Sequence, residues 1–320
     1  MFSSSYHQPV MVAGVLRFLA CKPGGVYVDG TVGGGGHAAS ILEATAPNGR
    51  LIGIDLDDEA LAESEERLKN FGTRKILHKG NFADMEVILS DLGIGKVDGI
   101  LLDLGVSSHQ LDTTERGFSF TADAPLDMRM DRTQGATAAD LVNRLSEQEL
   151  RKLIREYGED VMAGRIAKAV VARRGKAPIL TTRELASIVS SAVPTSMRYG
   201  RINPATRTFQ ALRIAVNDEL TNLQRAIQSS TELLKEGGRV VIISFHSPVG
   251  IKTGNGDTEE RRGDKNHAVI AVPKQCQRVP PHALAESHRA RERWRWHRRQ
   301  EESKSCEQHP RESGAVTGDG

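Results

Sequence analysis

Long apolar runs, clustered cysteines and a strong net charge are all missing from this chain. No stretch approaches the roughly 18 apolar residues of a membrane-spanning helix, so a helical membrane protein is not expected. The three cysteines, Cys21, Cys276 and Cys306, are odd in number and far apart, which argues against a disulfide framework or a zinc knuckle. Met1 to Gln8 carries no basic segment followed by an apolar run, so no secretory signal is read there. A reduced, cytoplasmic protein is the expectation. The formal net charge is only +2, so any nucleic-acid binding must come from a local patch. At 320 residues, with 38% hydrophobic and 26% charged, the chain can hold a full-sized core as one domain or two interleaved ones.

What is abundant is glycine at one place. The run Asp29-Gly30-Thr31-Val32-Gly33-Gly34-Gly35-Gly36-His37 follows a short apolar strand, Val26-Tyr27-Val28, and leads into a helical pattern over 38–46. A strand, a glycine-dense turn and a helix make a nucleotide-cofactor cradle, because a turn without Cβ atoms can pass close to a ligand. The helix start adds unpaired N–H groups. Dinucleotide-binding strands usually run apolar straight into their glycines. An acid followed by D-G-T-x-G-x-G points instead to S-adenosylmethionine (SAM), whose cationic groups sit near such a loop.

Around this turn the apolar segments alternate with helical ones. A leading helix spans 9–20, and strands are predicted over Val26–Asp29, 51–55, 75–78 and Val97–Leu104, with a helix over 58–70 between the second and third. This rhythm predicts a parallel, doubly wound sheet. It stops near Ser108. From there to Ile202 helices dominate, and Ser146-x-x-Glu149 and Thr181-x-x-Glu184 each read as a capping box opening an amphipathic helix. Asn203-Pro204 reads as the N-cap and first turn of one long helix with Leu212, Val216, Leu220 and Leu223 as its apolar stripe. A β-branched strand, 239–245, then resumes the sheet. Residues 248–320 differ in kind: one leucine, no Phe, Tyr or Met, and arginines interleaved with Trp294 and Trp296. Low hydrophobicity and high charge predict a disordered tail apart from a strand over 267–273.

Three acids end three strands. Asp55, about 20 residues after the glycine turn, suits the two ribose hydroxyls of an adenosine cofactor. Asn81-Phe82 follows the third strand, where an aromatic ring can face adenine, although Phe82 as plain core is a competing reading. Asp103 closes the fourth strand at the sheet's topological switch point, able to contact the cofactor or an amine undergoing methylation.

Read in order, the longer sequence words resemble one family. They are His7-Gln8-Pro9-Val10-Met11, the glycine run, and Leu102-Asp103-Leu104-Gly105-Val106-Ser107-Ser108. Arg116-Gly117-Phe118-Ser119-Phe120 and Pro125-Leu126-Asp127-Met128-Arg129-Met130 follow. The last are Asn203-Pro204-Ala205-Thr206-Arg207-Thr208-Phe209-Gln210-Ala211-Leu212-Arg213 and Ser244-Phe245-His246-Ser247. Residues 5–247 are similar to the bacterial 16S ribosomal RNA (cytosine-N4) methyltransferases, the MraW or RsmH family. The resemblance implies a class I (Rossmann-like) SAM-dependent methyltransferase fold with an inserted helical domain. Its parts would be a first methyltransferase segment (1–110), a substrate-binding helical insertion (111–202), a second methyltransferase segment (203–247) and the atypical tail (248–320). It also implies methylation of the exocyclic N4 amine of one cytosine in the decoding region, with 16S rRNA or the small ribosomal subunit as partner. Cofactor contacts carried over by motif are Gly35, Gly36, His37, Asp55, Phe82, Asp103 and Gln110. No catalytic base, metal ligand or oligomeric state follows, a homodimer being one option.

The chain departs from the family where Pro248-Val249-Gly250-Ile251 replaces the usual Leu-Glu-Asp-Arg, and where Asn203 stands for a common His. The changed ending predicts that the last two strands of the sheet are missing or poorly formed. Arg198, Arg201, Arg207 and Arg213 near the end of the insertion are expected to supply RNA contact. Three other readings stay open: a SAM enzyme for another substrate class, an NAD-dependent oxidoreductase using Gly33-x-Gly35-x-x-Ala38, and a catalytically impaired RNA-binding assembly factor.

Overall fold

In the computed structural model the described residues are 11–198, 203–244, 261–262 and 268–273, the last two segments as backbone alone. They belong to one structural unit. Helix α1 (Val12–Leu19) leads into β1 (Val26–Asp29), α2 (Gly36–Ala44), β2 (Arg50–Asp55), α3 (Asp58–Arg67), β3 (Lys75–Lys79), α4 (Met85–Asp91) and β4 (Val97–Leu104). The first four expected strands form with ends moved by at most one residue, because each is a short apolar run bounded by turn residues or an acid, whereas the strand expected from 239 already begins at Leu234. The helix expected over 58–70 stops at Arg67, and a 3-10 turn, Lys69–Arg74, follows it.

The helical layer comprises α5 (Ser108–Asp112), α6 (Ala138–Arg144), α7 (Glu147–Tyr157), α8 (Ala163–Arg174), α9 (Thr182–Ala192) and α10 (Thr195–Arg198). Ser146 and Glu149 close a full capping box at α7, while at α9 only the Thr181 half forms. Glu184 turns instead to the Leu180 N–H. Asn203 caps the next helix as expected, its Oδ1 accepting from the Ala205 N–H at 2.9 Å.

That next helix is two helices, not the single long one expected. α11 (Ala205–Val216) and α12 (Glu219–Leu233) are separated by Asn217 and by Asp218 in the left-handed region at φ 50°. The break is set by distant backbone. Asn217 Oδ1 accepts from the Met130 N–H at 2.8 Å, and Nδ2 donates to the carbonyls of Met128 at 2.8 Å and Arg213 at 2.9 Å. α11 packs into the core of the insertion, where Ala205, Phe209 and Leu212 join Leu150, Ile154, Ile166 and Leu185. Phe120 and Phe209 meet edge-to-face at 4.8 Å. α12 returns to the sheet.

The sheet continues with β5 (Leu234–Ser244), β6 (Arg261–Arg262) and β7 (Ala268–Pro273), in the order β3-β2-β1-β4-β5-β7-β6. β1 to β5 are parallel, and β7 runs antiparallel to both β5 and β6. The expected loss of the last two strands is therefore corrected. β7 covers the outer edge of β5 over six residue pairs, from Arg239 opposite Pro273 to Ser244 opposite Ala268. Val269, Ile270 and Val272 are β-branched, the residue type that favours a strand.

Candidate cofactor site

The strand order reverses between β1 and β4, and their carboxyl ends open a crevice there. Parallel registry brings the three strand-end acids, Asp29, Asp55 and Asp103, to one edge. The glycine turn ties those ends together. The Gly33 N–H donates to Asp55 Oδ2 at 2.9 Å, and Val32 N–H to the Ile54 carbonyl at 3.0 Å. Thr31 Oγ1 accepts from the Asp103 N–H at 2.7 Å. Gly33 and Gly35 take φ values of 50° and 76°, where a side chain would be strained. A Cβ on Gly30 would lie 2.6 Å from Leu102 Cδ2 and 2.9 Å from Phe82 Cβ, so the turn is sealed against the ends of β4 and the Phe82 loop.

Asp55 is held on both oxygens by backbone: Oδ1 accepts from the Asp57 N–H at 3.0 Å, Oδ2 from Gly33. Burial pushes its carboxyl up to about 6, against the opposing pull of those N–H groups. Burial likewise raises Asp29 to about 7, with His37 nearby pulling the other way. The His37 ring lies 3.6 Å from Asp103 Oδ2. Both His37 ring nitrogens and Asp103 Oδ1 are buried without a hydrogen-bond partner.

A cavity of about 1030 Å³ opens over these groups. Gly36, His37, Asp55, Phe82, Asp103 and Gln110 all line it. Gly35 is not among its lining residues: it caps α2 and faces α3, its Cβ direction meeting Ser64 Oγ at 3.0 Å. Gln110 is anchored at both ends of its amide. Oε1 accepts from the Ser107 N–H at 3.1 Å, and Nε2 donates to Asp57 Oδ2 at 2.8 Å. Sequence reasoning missed Glu59, Glu63, Met130 and Glu219 in the same wall. Glu63 has no signal, since on α3 it reads as one more solvated acid. Met130 belongs to a conspicuous word, Pro125–Met130, that carried no chemical meaning on its own.

Three of the four arginines expected to meet RNA have protein partners. Arg213 donates to both oxygens of Glu219, at 2.7 and 3.0 Å. Arg207 donates to the Glu159 carbonyl, Arg198 to those of Val193 and Ser191, and Arg201 lies outside the described residues.

The lining has six carboxylates, from Asp55, Glu59, Glu63, Asp103, Asp112 and Glu219, against one guanidinium, Arg67. Such a set repels the two phosphates of a dinucleotide, which counts against the NAD reading, and suits a ligand with a sulfonium and an ammonium. The unpartnered atoms of His37 and Asp103 are where such a ligand would find polar company. The residues present therefore fit SAM, and with this sheet order they define an α/β SAM-dependent methyltransferase. The profile of the MraW methylase family matches residues 4–249. The chain is 60% identical over 243 residues to ribosomal RNA small subunit methyltransferase H of Syntrophus aciditrophicus (strain SB), covering 76% of this chain and 77% of the relative. It is 58% identical over 241 residues to the protein of the same name from Geotalea daltonii, covering 75% and 77%. The chain belongs to the MraW methylase family. Among the described residues no helix is long and apolar enough to cross a membrane.

Proposed function

We propose that this enzyme methylates the exocyclic N4 amine of one cytosine in the decoding region of 16S ribosomal RNA. The observation that carries this reading is the extent of the cavity. It runs from the glycine turn past Asp103 to Met130 and Glu219 at the foot of the helical layer. At about 1030 Å³ the cavity lies at the upper end of the range for small-molecule sites, roughly 300–1,000 Å³. The relatives' name, ribosomal RNA small subunit methyltransferase H, supports the substrate class.

When bound, the cofactor supplies a methyl group made electrophilic by its sulfonium. Asp55 would take the ribose hydroxyls, Phe82 would face adenine, and Gly36 and His37 would border the cofactor at the start of α2; all four line the cavity. The N4 lone pair of cytosine is delocalised into the ring and is a poor nucleophile until its N–H groups are held. Asp103, whose side chain is partly exposed where it lines the cavity, would accept an amine N–H, orient the lone pair toward the methyl group, and stand where the proton released on N-methylation leaves. The described part of the helical insertion, residues 111–198, has α11 packed into its core and is the part assigned to a large substrate.

The test offers the purified enzyme and isotopically labelled SAM to naked 16S rRNA, to small subunits and to free cytidine nucleotides, then digests the RNA to nucleosides. Label in N4-methylcytidine from one rRNA position supports the reading. Label on another atom, on ribosomal protein or on free nucleotide alone overturns it.

A further inference from the structure

Arg116 is 1% exposed and is not among the residues that line the cavity. Its guanidinium joins two parts of the cavity. Nη1 donates to Asp57 Oδ2 at 2.7 Å and reaches Glu59 Oε2 at 3.3 Å. Nη2 donates to the carbonyls of Met130 at 3.0 Å and Arg129 at 3.2 Å. Asp57 passes the contact on: its N–H fixes Asp55 Oδ1, and its Oδ1 caps α3 at the Glu59 N–H. From the other side, Asn217 holds Met130 and Met128. Burying a guanidinium and a carboxylate is expensive, and apolar side chains of equal volume often stabilise a core as well. The fork of Arg116 is divided between a cofactor-side acid and a substrate-side backbone, so it sets the spacing of the two.

We propose that Arg116 is a positioning residue that holds the ribose carboxylate and the Met130 wall at one fixed spacing. It orients Asp55 through Asp57 while anchoring the segment that borders the substrate end of the cavity. The inference rests on Asp55 as the ribose ligand, and the experiment separates the two claims.

Calorimetry with S-adenosylhomocysteine and its 2′,3′-dideoxy analogue reads how much the ribose hydroxyls contribute. In the parent, their removal weakens binding about tenfold or more, as expected for hydrogen bonds to a charged group. Asp55→Ala erases that difference; if it persists there, the ribose assignment itself fails. Arg116→Lys reaches one side of the fork but not both. It binds S-adenosylhomocysteine about tenfold more weakly, and the dideoxy analogue then binds within about threefold of it, the signature of coupled groups. Its KM for RNA also rises, whereas Asp55→Ala moves the cofactor KM alone. Should Arg116→Lys not fold, Asp57→Asn replaces it, since the cap oxygen stays while an amide N–H faces the guanidinium. If Asp55→Ala erases the hydroxyl contribution but the Arg116 and Asp57 variants retain it in full, or if the RNA KM stays at the parent's value, the positioning role is overturned.

Discussion

Asp55→Asn separates what binding needs from what folding prefers. The carboxyl sits at about 6 instead of 3.8 because burial disfavours its charge. At about 1.36 kcal/mol per pH unit, keeping it ionised at neutral pH costs the fold about 3 kcal/mol. A carboxyl raised on folding contributes stability below its unfolded value and loses it as pH climbs through the folded one. In this case the loss falls between about pH 4 and 6. Asparagine carries no charge and escapes that cost. It has only one acceptor oxygen, so either the Gly33 or the Asp57 N–H loses its partner, at roughly 1–3 kcal/mol. The balance leaves the ligand-free variant about as stable as the parent at pH 7, or up to about 2 kcal/mol more so. Binding moves the other way, since charge-assisted bonds to two hydroxyls are lost and affinity for S-adenosylhomocysteine falls about tenfold or more. Urea unfolding without ligand, paired with calorimetry, measures both. A variant destabilised by more than about 2 kcal/mol that binds as the parent does would refute the reasoning on both counts.

In the parent, cofactor affinity should weaken as pH falls through about 6, because a protonated Asp55 loses acceptor strength, and Asp55→Asn should flatten that step. Asp57, Asp29, Asp103 and His37 face the same region, so calorimetry from pH 5 to 8 on both proteins is needed, and identical profiles would contradict the assignment. Gly30→Ala places its Cβ 2.9 Å from Phe82 Cβ, an atom fixed to backbone, so about 1–3 kcal/mol of stability and part of the cofactor affinity should be lost. Unchanged unfolding and binding curves would show the turn to be loose. Asn217→Ala removes three hydrogen bonds and should cost about 2–3 kcal/mol, with a cost below about 0.5 kcal/mol counting against a fixed helix break. Arg213→Ala strands Glu219 and should cost about 3 kcal/mol. It should leave the salt dependence of RNA binding as it was; a shallower slope in binding titrations would return Arg213 to the phosphate contacts.

The sheet and the acid triad were legible because both are local. Short apolar runs ending in Asp29, Asp55 and Asp103 need only parallel registry to converge, and the glycine turn needs only its neighbours. What escaped is long-range. Leu212, Val216, Leu220 and Leu223 stay in helical phase across the break, so periodicity gives no warning of it. The cause is Asn217 bonding to backbone 87 and 89 positions earlier. Arg116 meets Asp57 across 59 positions, and a buried arginine looks in sequence like any surface one. The partner of Arg213 was hidden for the same reason: Glu219 lies in the next helix, and the sequence does not show that the two side chains meet. The strand at Ala268–Pro273 was visible, but its place against β5 was hidden by the unfamiliar residues around it.

The central claim is best tested by mapping the modified nucleosides of 16S rRNA, by mass spectrometry, in cells with and without this gene. The account predicts that N4-methylation of one decoding-region cytosine disappears without the gene. It should return with the parent chain and stay absent with Asp103→Ala. An unchanged N4-methylcytidine content in the deletion strain, or restoration by Asp103→Ala at the parent's level, would contradict it.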